Sequence, residues 1–560
     1  MNSYWHVKLF NAEDTPRVFG THSNQNFPEA LLAGLSKKLA RYPPEKWAQV
    51  SIYVNTRRMQ RRLSQLFLEG PARLLPTIHL ITDIANDPSL TDLPMPVPTL
   101  KRQLEITQLV RELLGRVDDL APRSAVFDLA NSLAALMDEM QGEGIEPKAL
   151  KNLDISDVSG HWERALLFVN IVQGYFEGGA IPDTETRQRA CVLALAEGWK
   201  ASPPNHPIIM AGSTGSRGTT FQLMLAIAGL PQGAIVLPGF DFDMPSNVWD
   251  KLSDPNTGED HPQFRFSRLL NSLGMKAKQV VPWAGDAMTS SARNKLISLA
   301  MRPAPATHHW QKEGPNLKKL GEATSEITWL EAPDQRIEAM AVSLRLRKAA
   351  ETGETAAVIT PDRNLTRRIS SILAAWNITP DDSAGIPLSL TAPGRFLLHI
   401  LELAQPQITP EGLLILLKHP LAHSGSDRGQ HLLNTRELEI YLRRKGPAFL
   451  SPQSLLDWAK GRDLYLTWVN WLISCVFSHW PTGSQSMESW LDHHCTIAKR
   501  LSNGPSETEG KLWDQAPGRD TKKIMDELLL HGPAAGDVDL LDYRSILHGV
   551  LGTSETRDQN

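Results

Sequence analysis

Cysteine is scarce in this chain. Cys191, Cys475 and Cys495 are the three among 560 residues. An odd count with no disulfide framework suits a reducing cytosol. A membrane-length apolar run and a secretory leader are also missing. The first residues, MNSYWHVKLFNAEDTP, are polar and include acids. Secretion and membrane spanning are therefore not expected, and a cytoplasmic protein is. Nor is there an excess of charge: 58 Lys and Arg against 62 Asp and Glu leave a net charge of −4. A nucleic-acid ligand would thus need basic surface concentrated locally. What is present is an ordinary globular composition, 41% hydrophobic and 21% charged, long enough for several domains.

The most legible stretch is 207–222, PIIMAGSTGSRGTTFQ. Its start is apolar without alternation, the pattern of a strand buried on both faces. A turn rich in glycine and hydroxyls follows: Ala211, Gly212, Ser213, Thr214, Gly215, Ser216 and Arg217. Thr219 or Thr220 can then cap a helix through Phe221, Leu223, Met224 and Ile227. Strand, glycine turn and helix start form the geometry that cradles a phosphate. Yet the turn has no Lys, does not fit GxxxxGK[ST], and no acid ends the strand to hold Mg²⁺. Two readings stay open, a phosphate cradle and a plain strand-to-helix connection.

Around this stretch the pattern alternates. Residues 17–21 (RVFGT) predict a strand, 22–26 a polar loop without Gly or Lys, and Leu31, Leu32 and Leu35 the inner face of a helix. Residues 49–55 (QVSIYVN) predict a second strand running into TRRMQRRLSQLFLEG. There Arg57, Arg58, Arg61 and Arg62 share one helix face, while Met59, Leu63, Leu66 and Phe67 cover the other. Such arginines can grip a phosphodiester backbone or form a solvated face with scattered ion pairs. A third strand is expected in 74–83. From 96 to 204 the pattern is helical, including HWERALLFVNIVQGYFEGG. Its acids Asp138, Glu139 and Glu143 read as a helix end before a glycine turn rather than as a metal cluster. Residues 233–243 (GAIVLPGFDFD) predict another buried strand, with Asp241 and Asp243 capping the next turn.

Residues 302–325 are Pro-rich and polar and read as a linker. Strands are expected at 326–331 (EITWLE) and 356–360 (AAVIT), each followed by a helix, with a short edge strand before 390. One internal echo emerges. VNTRRMQRRLSQLF and ITPDRNLTRRISSIL both run strand, Thr, arginines, then paired Arg, so Arg61 and Arg62 answer to Arg367 and Arg368. This suggests two lobes that each present a basic strand end to one extended ligand. After about 398 the chain is helical. Cys475, His479, His493, His494 and Cys495 admit a zinc reading, but Cys475 lies in an apolar run and the adjacent histidines diverge on a helix, which favours buried Cys and surface His. The second lobe thus has two strands, a helical stretch and a polar tail, and the chain is expected to be a fragment of a longer product.

Two α/β lobes, each split by a helical insertion, is the layout of superfamily 1 helicases related to UvrD. The phrases LLPTIHLIT, LAALMDEMQGEGI, IIMAGSTGSRGTT, AIVLPGFD, HPQFRFSRLL, AAVITPDRNLTRRI, DDSAGIPLSLTAPGRF and LLILLKHPLAH resemble AddB of the alphaproteobacterial type, over about residues 17–555. That family supplies the smaller subunit of the AddAB helicase–nuclease, which processes double-strand DNA breaks for recombination. The resemblance implies two RecA-like (P-loop NTPase-like) lobes: residues 1–95 and 205–300 for lobe one around an insertion at 96–204, a linker at 301–325, and 326–397 for an incomplete lobe two before an insertion at 398–552 and a tail at 553–560. It implies AddA as partner in a heterodimer, with single-stranded and broken double-stranded DNA as ligands. A GKT-type loop would follow the first strand, where THSNQNF stands, so no ATP hydrolysis by this lobe is expected. The family's ATP and Mg²⁺ belong to AddA, and its Mg²⁺-dependent nuclease domain, in some members with an iron–sulfur cluster, is not recognisable here. No cofactor, metal or catalytic residue is expected in this chain. DNA contacts are expected from Thr56, Arg57, Arg58, Arg61 and Arg62, and from Thr360, Arg363, Arg367 and Arg368. The alternatives are a nucleotide- or phosphate-dependent α/β enzyme using the 212–220 turn, and a purely structural partner of AddA.

Overall fold

A computed structural model describes residues 6–557, apart from residues 12, 87–89, 91, 118–119, 286–290 and 507 and most of 147–181. The helix expected across 161–179 lies mostly outside the described residues. The chain divides into two units. The first comprises 1–99 and 133–327, the second 100–132 and 328–560.

The first unit is α/β. Its strands are β1 (Val18–Gly20), β2 (Ser51–Val54), β3 (Thr77–Leu80), β4 (Ile208–Ala211), β5 (Gly233–Leu237) and β6 (Val281–Pro282). They form one six-stranded sheet in the order β3-β2-β4-β5-β1-β6, and every pairing is parallel. Buried on both faces, the central strands divide their side chains with a period of two. Ile52, Val54, Ile209, Ala211 and Val236 enter one core with helices α1 (Phe27–Leu39) and α2 (Arg57–Glu69). Tyr53, Ile208, Met210, Ile235 and Leu237 enter the other.

Beyond β3 come α3 (Thr99–Arg116) and α4 (Val126–Glu143), whose residues 100–132 belong to the second unit, and later α5 (Thr184–Ala201). After β4 comes α6 (Gly218–Ala228), and after β5 come α7 (Phe264–Ser272) and α8 (Ala292–Ala300). Helices α1 and α2 lie on one face of the sheet, and α6 and α7 on the opposite face. Neighbouring strands therefore send their chains to opposite faces at two places, between β2 and β4 and between β5 and β1. In parallel α/β sheets such switch points, at the carboxyl ends of the strands, open the crevices that bind ligands.

The second unit is mostly helical. Helices α9 (Gln335–Thr352) and α10 (Arg363–Ala375) pack on each other through Ala339, Ile369 and Leu373. A separate core joins α11 (Ala392–Glu402), α12 (Pro410–Lys418), α13 (Arg428–Lys445), α14 (Pro452–Ala459), α15 (Asp463–Val476), α16 (Met487–Asn503), α17 (Gln515–His531) and α18 (Leu540–Thr553). Its largest fully buried side chains include Trp490, Tyr543 and Phe396.

Three sequence expectations change here. The strands expected at 326–331 and 356–360 are not formed. Both segments lack a strand partner among the described residues, and Trp329 and Ile359 are 85% and 97% exposed. A strand is made by its neighbour's backbone groups, which apolar composition alone does not supply. Because neither side chain is packed, Trp329→Lys and Ile359→Lys are each expected to change thermal stability by less than about 0.5 kcal/mol while reducing self-association, measured by calorimetry and light scattering. The linker at 302–325 contains helical turns at Ala304–Ala306, His309–Glu313 and Leu320–Thr324. The tail is partly ordered: β8 (Glu555–Thr556) pairs antiparallel with β7 (Ile386–Pro387), the short edge strand.

Candidate nucleic-acid interface

Helix α2 begins where β2 ends, beside the β2/β4 crevice. Thr56 is its N-cap, and the hydroxyl accepts from Met59 N at 3.1 Å. Arg57 and Arg58 occupy the first two helical positions, with no acid in the first turn. Cations at the positive end of a helix dipole cost about 0.3–1 kcal/mol each, a cost that a bound phosphate would offset. Arg57, Arg58 and Arg61 are exposed, whereas Arg62 is paired with Glu29 at 3.2 Å. Leu63 and Phe67 bury the opposite face.

From its first helical position helix α10 repeats much of this pattern, with Asn364 where α2 has Arg58 and the acid Asp362 as N-cap where α2 has Thr56. Both helices have 13 residues. Arg363 answers to Arg57 at the first position, Arg367 and Arg368 to Arg61 and Arg62 at the fifth and sixth. Buried Ile369 and Leu373 answer to Leu63 and Phe67. The partner helices match as well. Arg62 meets Glu29 in the first turn of α1, and Arg368 acts on the carboxylate of Asp334, the N-cap of α9. The Asp334 carboxyl is held below its ordinary pKa, chiefly by the Ile337 backbone N–H. Thr360 Oγ1 accepts from Asp362 N at 3.0 Å, and Asp362 caps α10. Arg363 lies 3.6 Å from Asp382, and Arg367 donates to Asn364 Oδ1 at 2.5 Å. The structure thus gathers the expected residues into two sets, one in each unit. Thr56 caps α2 itself, whereas Thr360 accepts from the backbone of Asp362, which caps α10.

The glycine turn is closed from within. Gly212 and Gly215 have φ of +79° and +68°, and a Cβ on Gly212 would lie 3.0 Å from the Phe27 ring. Ser213 Oγ accepts from Gly215 N at 3.2 Å. The cap of α6 differs from the expectation. Arg217 is the N-cap residue and makes no side-chain cap, while Thr219 donates to Gly142 O at 3.3 Å. The first amide, Gly218 N, donates to Glu143 Oε1 at 2.7 Å. Arg268 stands 3.7 Å from Glu143 Oε2, and Arg189 donates to Gly142 O at 3.1 Å. Arg217 is paired with Glu185 at 3.3 Å. A carboxylate of this chain therefore sits where a phosphate would meet the helix N-terminus. Sequence reasoning placed Glu143 at a helix end but missed this role, because its partner lies 75 residues away.

The loop after β1, at the β5/β1 crevice, is filled too. Thr21 and His22 are buried, and the His22 ring lies 4.6 Å from Phe242. Gly20 faces Phe240 closely enough that a Cβ would stand 2.7 Å from it. Asp241 Oδ1 accepts from Asp243 N at 2.9 Å, the turn-capping role expected for these acids. Burial, opposed by a hydrogen bond with Ser298, raises the Asp241 carboxyl above its ordinary pKa.

Of the cysteine–histidine set at 475–495, Cys475 and His494 are buried in the helical core and His479 is exposed, so His494 does not lie on the surface as expected. Burial pushes the Cys475 and Cys495 thiols up to about 11. Both ring nitrogens of His494 are engaged, by Tyr543 Oη at 2.9 Å and Leu397 O at 3.0 Å. Among the described residues no cluster of His, Cys, Asp and Glu could hold a metal ion, and no helix is long and apolar enough to cross a membrane.

What the fold and site define is a parallel α/β unit and a mostly helical unit, each carrying an exposed arginine face at a helix start. No protein-family model matches the chain, and no curated protein matches it.

Proposed function

We propose that the chain is a helicase-like, non-hydrolytic subunit of AddB type that binds single-stranded DNA and scaffolds an AddA motor in double-strand-break processing. On this reading the first unit corresponds to a RecA-like lobe, and ATP and Mg²⁺ belong to the partner. The observation that carries the reading is the repeated arginine helix start, Arg57/Arg61/Arg62 in α2 and Arg363/Arg367/Arg368 in α10. Two similarly spaced arginine sets at helix starts suit a regular polyanion better than a single small anion. Glu143 on the α6 amide and the His22–Phe242 packing favour a lobe that does not turn over nucleotide.

Converting Arg57, Arg58 and Arg61 to Ala is expected to weaken oligothymidylate binding and to flatten the log K against log salt slope by about 2, at about 0.7 per phosphate lost. Fluorescence anisotropy over a salt series measures both. An unchanged slope would remove the α2 face from the interface. ATP turnover by the isolated chain is expected to be at background, and turnover abolished by Ser213→Ala or Thr214→Ala would revive a nucleotide-dependent enzyme.

A further inference from the structure

One basic surface lies outside the arginine helix starts. It is the connector between α13 and α14, residues 446–451. Arg443, Arg444 and Lys445 end α13, and Phe449 stands 50% exposed at the apex of the connector. From 440 to 456 the sequence contains no acid. Basic residues in a last helical turn are ordinarily explained by the helix dipole. That explanation covers the three cations and leaves the exposed aromatic ring unaccounted for.

The connector is held in place on both sides. Leu450 is buried and donates its N–H to Ile408 O at 2.8 Å, in an isolated antiparallel bridge. Ser451 and Ser454 cap α14 reciprocally, at 3.0 and 3.2 Å. A side chain at Gly446 would lie 2.5 Å from Leu442 O, so the chain turns at a residue without one. Phe449 thus stands exposed on a connector anchored at Leu450 and Ser451, four and five residues beyond the exposed Lys445 and Arg444. Arg443 is partly committed to Glu439 at 2.8 Å.

We infer that the 443–449 knuckle is a second contact for single-stranded nucleic acid, with Arg444 and Lys445 meeting phosphates and Phe449 stacking on a base. A positive charge alone would suit any polyanion. An exposed ring on the same connector selects a strand whose base faces are open, because stacking on an aromatic side chain tolerates any sequence and duplex bases hide those faces. The inference rests on the single-strand-binding reading of the chain and adds a site to it.

The test uses the full chain and fluorescein-labelled oligothymidylate. Arg444→Ala with Lys445→Ala is expected to flatten the salt slope by about 1.4 and lower affinity. Phe449→Ala is expected to lower affinity at least about fivefold with the slope unchanged, and Phe449→Trp to restore it. Ultraviolet irradiation of the complex is expected to couple thymine to Phe449, read by peptide mass spectrometry. Wild-type affinity and slope in both knuckle variants, with loss only in the α2 variant, would overturn the knuckle and leave the proposed function standing. Loss in the knuckle variants with none in the α2 variant would support the knuckle and remove the α2 face. Loss of binding to anionic phospholipid vesicles, with DNA binding untouched, would also overturn it. All three side chains are exposed, so unchanged melting curves are expected for each variant.

Discussion

Acidification is expected to unfold the helical core of the second unit between about pH 6.5 and pH 4. Burial lowers the pKa of His419, His431 and His494 from 6.5 to about 4. The folded state therefore binds fewer protons than the unfolded one in that window, and stability rises with pH across it. The stabilisation is complete above the unfolded pKa and is lost as pH falls through the window. Each histidine contributes at most about 1.4 kcal/mol per pH unit, so three approach about 4 kcal/mol per unit, a large share of a domain's stability.

The geometry explains why these rings resist charge. His431 Nε2 faces Leu417 O at 2.8 Å, and Nδ1 accepts from Trp468 Nε1 at 3.1 Å, a bond that a protonated Nδ1 cannot accept. His419 lies near Arg428, Arg395 and His399, which oppose a further positive charge. In the first unit His206 and His261 shift in the same direction, again chiefly through burial. Circular dichroism and tryptophan fluorescence against pH measure the effect, since Trp468, Trp471 and Trp490 all lie in the second unit's core. His431→Gln is expected to make the profile less steep by close to one proton. A stability profile flat from neutrality to pH 4 would contradict the buried neutral rings.

Glu143→Ala is expected to destabilise the first unit by about 1.5–3 kcal/mol, the worth of a hydrogen bond to a charged group. The change removes the acceptor of Gly218 N and strands Arg268 without its 3.7 Å partner. Glu143→Gln keeps a neutral acceptor and is expected to lose about half as much. Gly218→Ala acts on the same joint from the other side, since its Cβ would come within 2.6 Å of Gly142 O. Hydrogen exchange would locate the loss in the first turn of α6 and the last turn of α4, and calorimetry would size it. Equal stability of the wild type, Ala and Gln proteins would show that the carboxylate is not the cap of α6.

Local pattern carried much of the outline. The uninterrupted apolar run IIMA predicted a strand buried on both faces, and β4 lies at the centre of the sheet with all four residues buried. The arginine spacing predicted one exposed face opposite Leu63 and Phe67, and an α2–α10 match that holds at the first, fifth and sixth helical positions. These features depend on neighbours along the chain. Pattern failed where partners are distant. EITWLE and AAVIT have strand composition, but no described strand lies beside them. Nor did pattern show the acids near three of the expected arginines, Glu29 by Arg62, Asp382 by Arg363 and Asp334 by Arg368.

The sequence by itself determined that the chain has no Walker lysine, where its arginines cluster, and which helices and central strands form, because side-chain identity and period are local properties. Only the tertiary structure decided the strand order and its two switch points, and the occupant of the glycine turn. Each of those depends on which distant segment meets which, as when Glu143 caps a helix that begins 75 residues later.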